Sequence, residues 1–280
     1  VTLPRTPVAL SVAGSDSSAG AGIQADLKTF SAFGVYGATA ITAITAQNTT
    51  GVTAVHAVPP EVVAAQIEAV ARDLAVAAVK TGMVGTAEVI LAVCASLKQW
   101  LPNVPLVIDP VMVSTSGSRL LEPAAESALR AELLPLARIV TPNLAEAAVL
   151  TGASIAETEA DIIRQGRALQ RLGCQAVLIK GGHGKGDRAV DLLFDGSDVH
   201  RFDAPRIDTR NTHGTGCTLS AAICAGLVKG RSLVDAVGEA KAYLQSAIAG
   251  ATGERLGSGP GPVRHFSGLN LGALPPFSRT

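Results

Sequence analysis

Apolar positions in this chain come as short runs that alternate with stretches of helical spacing. Val8 to Ala13 (Val-Ala-Leu-Ser-Val-Ala) reads as a buried strand. A glycine-rich loop, Gly14 to Gly22, then leads into a helix from about Ile23 to Phe33. Gly37 to Gln47 reads as one β-branched, apolar strand, and Val52 to Val58 as a short one. Pro59-Pro60 opens a helix to about Leu74, since proline suits a first helical turn. Ala75 to Lys80 is a strand, about Ala87 to Lys98 a helix, and Leu106 to Asp109 a strand ending on a carboxylate. A loop rich in Ser and Gly, Ser114 to Ser118, precedes a helix over Ala124 to Leu133. Arg138 to Thr141 is a short strand, Pro142-Asn143 starts a helix, and Ala160 to Leu172 is strongly helical. The strand Ala176 to Lys180 runs into Gly181-Gly182-His183-Gly184. Ala189 to Phe194 and Val199 to Phe202 flank Asp195-Gly196, a hairpin signal. Leu219 to Val228 and about Val234 to Ile248 are helical, and a Gly- and Pro-rich tail begins at Gly253.

Strands alternating with helices imply an α/β fold, a mostly parallel sheet covered on both faces. No linker, charge block or repeat divides the pattern, so one domain over residues 1–280 is expected. Hydrophobic residues make up 48% and aromatics only 3%. The apolar content is therefore mostly Ala, Val, Leu and Ile, which suits such a sheet. Lys+Arg and Asp+Glu both number 23. This balance gives no electrostatic footprint for nucleic acid or an anionic membrane. No apolar run approaches the ~18 residues of a membrane helix. Four scattered cysteines, Cys94, Cys174, Cys217 and Cys224, lack zinc-ligand spacing and suggest no disulfide framework. A cytoplasmic protein with reduced thiols is expected.

The most informative stretch is Asn211-Thr-His-Gly-Thr-Gly-Cys-Thr-Leu-Ser220, a polar, glycine-rich turn running into an apolar helix. A helix start leaves N–H groups unpaired and carries the positive end of the helix dipole, which suits an anion. Gly214 and Gly216 let the backbone approach a phosphate, and Cys217 at the helix mouth is expected to have its thiolate stabilised. The same residues also fit an ordinary capped helix with a small buried cysteine, and the stretch alone leaves both readings open. His213 reads better as a residue orienting this loop than as a base.

In parallel sheets ligands bind beyond the carboxyl ends of the strands. Gly14 to Asp16, Gln47, Thr81 to Met83, Asp109, Thr141 to Glu146 and Lys180 to Gly182 all fall there. Gly20-Ala-Gly-Ile-Gln-Ala25 mimics a dinucleotide fingerprint, but six loop residues, Gly14 to Ala19, separate it from the strand and no acid occurs between Asp26 and Glu61, so an NAD site is rejected. No Gly-x-x-x-x-Gly-Lys-Ser/Thr run exists, so a nucleotide phosphate would have to sit on Gly214 to Cys217. Asn143 and Glu146 share one face of a helix start, near Asp109 at a strand end. Together they suit Mg²⁺, which keeps waters and needs few protein ligands. Helix capping by Asn143 and Glu146 explains the same spacing. Lys180 is placed to bridge transferring phosphates, or else is a lysine snorkelling at the surface.

Taken together, the segments Ala13-Gly-Ser-Asp-Ser-Ser-Ala-Gly-Ala-Gly-Ile-Gln-Ala-Asp26, Thr45-Ala-Gln47, Val79-Lys-Thr-Gly-Met83, Asp109-Pro-Val-Met, Thr141-Pro-Asn143-Leu-Ala-Glu146, Lys180-Gly-Gly-His183, the Asn211 to Ser220 stretch and Gly259 to Phe266 resemble the hydroxymethylpyrimidine/phosphomethylpyrimidine kinases. The resemblance spans nearly the whole chain. It implies a ribokinase-like three-layer α/β/α sandwich, commonly dimeric. It also implies phosphorylation of 4-amino-5-hydroxymethyl-2-methylpyrimidine and then of its monophosphate, with ATP and Mg²⁺, for thiamine biosynthesis. By the same resemblance Gln47, Asp26, Gly14 and Met83 line the pyrimidine pocket. Thr212 and Gly214-Thr215-Gly216 hold the nucleotide phosphates, with Cys217 as catalytic base and Lys180 on the phosphates. Asp109, Asn143 and Glu146 serve Mg²⁺ and its waters. Sugar kinases of the wider superfamily typically carry Asp where Cys217 stands, which points toward the pyrimidine and pyridoxal branch. A pyridoxal kinase of that branch, or a non-catalytic pyrimidine-binding sensor on the same fold, are the alternatives. One departure is Ser17-Ser18-Ala19, where relatives often have Pro-Ser-Gly.

Overall fold

Six strands run parallel and carry the sheet: β1 (Val8–Ala13), β2 (Tyr36–Ile41), β5 (Val76–Thr81), β6 (Leu106–Ile108), β7 (Ile139–Val140) and β8 (Ala176–Lys180). An antiparallel hairpin, β9 (Arg188–Asp195) and β10 (Asp198–Pro205), extends the β8 edge. The resulting strand order is β10-β9-β8-β7-β6-β5-β1-β2. A second, two-stranded sheet is formed by β3 (Ala43–Asn48) and β4 (Gly51–Ala57). The computed structural model describes residues 6–112, 121–182 and 186–268. The expected Ser- and Gly-rich loop at 114–118, His183-Gly184 and the last residues of the tail lie outside these.

The pleat sorts the strand side chains between two cores. Leu10, Val12, Val79, Ile108, Val140 and Ile179 face one side, under α2 (Pro60–Asp73), α3 (Ala87–Trp100), α4 (Pro123–Ala128), α5 (Leu144–Thr151) and α6 (Glu159–Gln170). Ala9, Ala78, Val107, Ile139 and Leu178 face the other, under α1 (Gly22–Ala32), α7 (Thr215–Val228) and α8 (Leu233–Gly250). Burial on both faces explains the near-continuous apolar runs of these strands. The result is a three-layer α/β/α sandwich.

Two sequence readings need correction. The run Gly37 to Gln47 is two strands in two sheets. At Thr42 the chain leaves the main sheet: Thr42 N donates to Ala13 O, and Thr42 Oγ1 donates to Met83 O at 2.6 Å. Both strands are β-branched and apolar, so composition carries no mark of the crossing. The helix expected to run through Leu133 ends its α-helical part at Ala128, continues as a π turn over Leu129–Leu133 and closes as a 3₁₀ turn.

Candidate functional site

The carboxyl ends of β1, β5, β6 and β8 open into a cavity of about 860 Å³, within the range of small-molecule sites. The N-terminus of α7 points into it. Gly214 is the N-cap of α7 at φ 80°, and no side chain caps the helix start. A Cβ on Gly214 would lie 1.8 Å from Gly20 O, so only glycine allows the turn to press against the β1–α1 loop. The start of α1 also lacks a side-chain cap and meets α7 from the opposite side, with Gly22 N–H donating toward Cys217. Two uncapped helix starts thus converge on Cys217, a setting suited to negative charge.

Asp16 ties the two loops together. Its carboxylate accepts hydrogen bonds from Ser18 N at 2.9 Å, Ser18 Oγ at 2.7 Å, Gly20 N at 3.0 Å, Ala21 N at 2.8 Å and His213 Nε2 at 2.8 Å. Burial alone raises the Asp16 carboxyl, but His213, the Ser18 hydroxyl and the Ala21 N–H outweigh it and hold the pKa down at about 2. His213 N donates to Gly261 O, so the imidazole links the β1–α1 loop, the α7 turn and the C-terminal segment. This is the loop-orienting role the sequence suggested. Asp16 sat among the strand-end residues in the sequence, but nothing local signalled its partner 197 residues away.

The cation and the acids sit beneath the α7 turn. Lys180 Nζ lies 2.9 Å from Asp109 Oδ1 and 4.0 Å from Glu146 Oε2. A Cβ on Gly216 would be 3.2 Å from Lys180 Nζ and 3.5 Å from Asp109 Oδ2, so the ammonium lies directly under the bare helix start. Burial lowers the Lys180 pKa, but Asp109 and Glu146 outweigh it and the net shift is upward. Lys180 is therefore a held cation, not a snorkelling one. Glu146 is pushed up to about 7, mainly by burial and further by Asp109, while Lys180 pulls against both.

Asn143 and Glu146 form a complete capping box on α5, with Asn143 Oδ1 accepting from Glu146 N at 2.9 Å and Glu146 Oε2 accepting from Asn143 N at 2.8 Å. This corrects the reading of Asn143 as a third metal-facing arm, because its side-chain oxygen is taken up by the helix start. Among the described residues no group of three or more His, Cys, Asp or Glu side chains is placed to hold a metal. The two carboxylates, Asp109 and Glu146, remain a fitting donor set for Mg²⁺, which fills its other positions with water and phosphate oxygens.

Gly14, Gln47 and Met83 all line the cavity. Met83 Cε lies 2.2 Å from where a Gly14 Cβ would sit, so the thioether occupies the space that Gly14 leaves. Ser17 Oγ accepts from Gln47 N at 2.7 Å and lies within donating distance of Gln47 O and Thr45 O. It therefore holds the end of β3, and with it Gln47, against the loop. Asp26 requires correction. It does not line the cavity; it is fully buried beneath it, paired with Lys80 and Ser11. Cys217 requires another: burial pushes its thiol up to about 11, although Lys80 and the Gly22 N–H act to lower it. Desolvation therefore outweighs the stabilisation that a helix start offers a thiolate.

The far half of the cavity is walled by Ala189, Pro205, Ile207, Leu244 and Ile248, with Lys241 fixed to Asp191 Oδ2 at 2.6 Å. Asp191 Oδ1 accepts from Gly181 N, so this wall is tied to the loop that follows Lys180. Sequence reasoning missed this half. Its signal was present: Lys241, Leu244, Gln245 and Ile248 share one face of α8 at helical spacing. Thr212 and Thr215 also line the cavity.

Residues 16–264 match the family model described as phosphomethylpyrimidine kinase. The chain belongs to that family. It is 60% identical over 261 residues to the hydroxymethylpyrimidine/phosphomethylpyrimidine kinase of Rhizobium meliloti (strain 1021), covering 93% of this chain and 97% of the relative. It is 50% identical over 263 residues to the thiamine biosynthesis bifunctional protein ThiED of Geobacter sulfurreducens, covering 94% of this chain and 53% of that longer protein. The ADP complex of Bacillus subtilis pyridoxal kinase superposes with a TM-score of 0.86 at 39% identity, covering 94% of this kinase and 98% of that chain. The fold is therefore ribokinase-like, and the kinase uses ATP. Among the described residues no helix is long and apolar enough to cross a membrane.

Proposed function

We propose that this kinase transfers the γ-phosphoryl group of ATP to the hydroxymethyl oxygen of 4-amino-5-hydroxymethyl-2-methylpyrimidine, then phosphorylates the monophosphate, for thiamine biosynthesis. The observation that carries the reading is one cavity holding Gln47 and Met83 at one end, and Lys180, Asp109 and Glu146 under a bare helix start in its middle. Phosphoryl transfer needs positioning and charge stabilisation more than covalent chemistry. The N–H groups of Gly214 to Cys217 receive the phosphates, and Lys180 neutralises charge on the transferring group. Cys217 accepts the hydroxymethyl proton. Asp109 and Glu146 would hold a Mg²⁺ ion, which would supply further charge neutralisation there. The adenine lies against Ile207, Leu244 and Ile248.

The nucleotide and pyrimidine walls draw on elements from β1 to α8, which supports one catalytic domain over the whole chain. We extend the proposal to a homodimer, supported by Ile44 and Val55 exposed on the β3–β4 hairpin, and to the cytoplasm, supported by four unpaired cysteines. The pyridoxal reading is favoured by the structural neighbour just described. A coupled ADP-release assay with the alcohol, its monophosphate and pyridoxal separates the readings. Turnover of both pyrimidines above pyridoxal is expected. Pyridoxal as the preferred acceptor, or binding without turnover, would overturn the proposal.

A further inference from the structure

Lys80 is a charged side chain with no contact to water. It and Asp26 are both 0% exposed, and Lys80 Nζ lies 2.9 Å from each Asp26 carboxylate oxygen. Ser11 Oγ donates to Asp26 Oδ2 at 2.6 Å. Such a pair is weak evidence for stability, because well-packed apolar residues of similar volume serve a core as well or better. Its position has a further consequence. The ammonium lies against the end of β5, where a Cβ on Gly82 would be 2.9 Å from Nζ, and Lys80 lines the same cavity as Cys217. α7 packs against β5, the strand that carries Lys80. The charges acting on Cys217 are Lys80 from β5, Asp26 from α1, Asp109 after β6 and Lys180 from β8, with the Gly22 N–H at the start of α1. Of the two cations, Lys180 is engaged with Asp109 and Glu146 at the phosphate position.

We propose that Lys80, fixed by Asp26, is a positioning residue that favours the thiolate of Cys217, so that the thiolate is formed before it takes the hydroxymethyl proton. The inference rests on Cys217 being the proton acceptor. In the first reaction the thiol releases its proton to solvent. The thiolate then takes the alcohol proton as the alcohol oxygen bonds to the γ-phosphorus. The bond from that phosphorus to its bridging oxygen breaks, and ADP leaves with the electron pair. In the second reaction the nucleophile is a phosphate monoester oxygen, already ionised near neutral pH because its second pKa is about 6. That step has no proton for Cys217 to accept, so it has no use for Lys80. The two reactions of one enzyme therefore serve as an internal control.

The test is the double variant Lys80→Met/Asp26→Asn, which removes both charges together and leaves no buried ion alone. We expect kcat on the alcohol to fall roughly ten- to a hundredfold relative to kcat on the monophosphate, the usual influence of one nearby opposite charge. The KM for the alcohol should move little. Iodoacetamide labelling of Cys217, followed by peptide mapping at fixed pH, should slow by a similar factor. An equal loss in both reactions would mark the pair as structural, and an unchanged rate ratio with unchanged labelling would leave it no role; either result overturns the proposal. Cys217→Ala in the wild-type background separates the two failures. If that variant still turns over the alcohol, the base assignment is wrong, and slowed labelling in the double variant alone does not rescue the proposal.

Discussion

Replacing Asp16 by Asn isolates the tie between the β1–α1 loop and the α7 turn. Asp16 is 1% exposed, and its carboxylate accepts from Ser18 N and Ser18 Oγ on Oδ1 and from Gly20 N, Ala21 N and His213 Nε2 on Oδ2. An amide nitrogen at the Oδ2 position would face the Gly20 and Ala21 N–H groups as well as His213, and an amide oxygen there would turn the nitrogen toward Ser18 N. In either orientation hydrogen-bonding groups are left unsatisfied. The magnitude follows from the depressed pKa, about 2 against an ordinary value of 3.8. At ~1.36 kcal/mol per pKa unit this is about 2 kcal/mol. The sign is that of a lowered acid: the contribution is complete above the unfolded pKa and fades as pH falls through the folded one. Thermal melts should therefore place Asp16→Asn several degrees below wild type near pH 7, at roughly 2–4 °C per kcal/mol for a chain of this size. The gap should shrink as pH falls from about 4 toward about 2, where the wild-type carboxylate is itself protonated. A gap below about 1 °C at neutral pH, or one that does not change with pH, would refute the electrostatic tie.

Other outcomes follow from the same geometry. Ala19 sits at φ 62°, a left-handed conformation that costs an L-residue roughly 1–2 kcal/mol, so Ala19→Gly should raise the melting temperature by an amount equivalent to about 0.5–1 kcal/mol after the added chain entropy is offset. Cys217→Ala should lower turnover of the alcohol by roughly two to four orders of magnitude while ATP binding, measured by calorimetry, persists. Because the Cys217 thiol is pushed up to about 11, the ratio of alcohol to monophosphate turnover should climb between about pH 7 and about pH 9, and a flat ratio would count against Cys217 as the base. Glu146→Gln keeps a cap acceptor for Asn143 N and removes a buried charge, so it should be at least as heat-stable as wild type while its magnesium half-saturation rises about tenfold or more; magnesium dependence like that of wild type would remove Glu146 from the metal site.

What the sequence disclosed and what it hid divide along a physical line. Strand ends, helix starts and glycine turns are local events, so Lys180, Asp109, Glu146 and the α7 start could be placed at one end of a sheet before any contact was known. Contacts between distant segments left no such trace. Lys80 meets Asp26 across 54 residues, and nothing local to either position points to the other. Burial hid the state of Cys217 in the same way: a helix start is visible in sequence, but the desolvation opposing it depends on α1 arriving from the other side. At Ala19 and Ser17 the departure from Pro-Ser-Gly has separate consequences. Alanine keeps a turn that suits glycine, and the Ser17 hydroxyl holds Gln47 N where a proline has nothing to offer.

The last of these contacts bears on which ring the kinase selects. The groups proposed for phosphoryl transfer sit on the sheet and on α7, and the chain as a whole is similar to a pyridoxal kinase at a TM-score of 0.86, so likeness of fold does not choose between acceptors. Gln47 belongs to the separate β3–β4 sheet, at an irregularity in the pairing between Ala46 and Gln47. Its carboxamide oxygen lies 3.3 Å from Thr45 Oγ1, a hydroxyl that also reaches Ser15 O at 2.9 Å. An amide fixed in this way presents a donor and an acceptor side by side. An aminopyrimidine edge complements that pair with its exocyclic amine and ring nitrogen, as adenine complements an amide, whereas pyridoxal offers oxygens instead. Gln47→Leu should therefore lose roughly 1–3 kcal/mol of selectivity for the aminopyrimidine, read as the ratio of kcat/KM for the two heterocycles. Ser17→Ala, which frees the backbone of Gln47 without touching its amide, should lose part of the same selectivity while leaving the amide chemistry intact. If both variants keep the wild-type ratio, the ring is read elsewhere in the pocket and the hairpin only covers it.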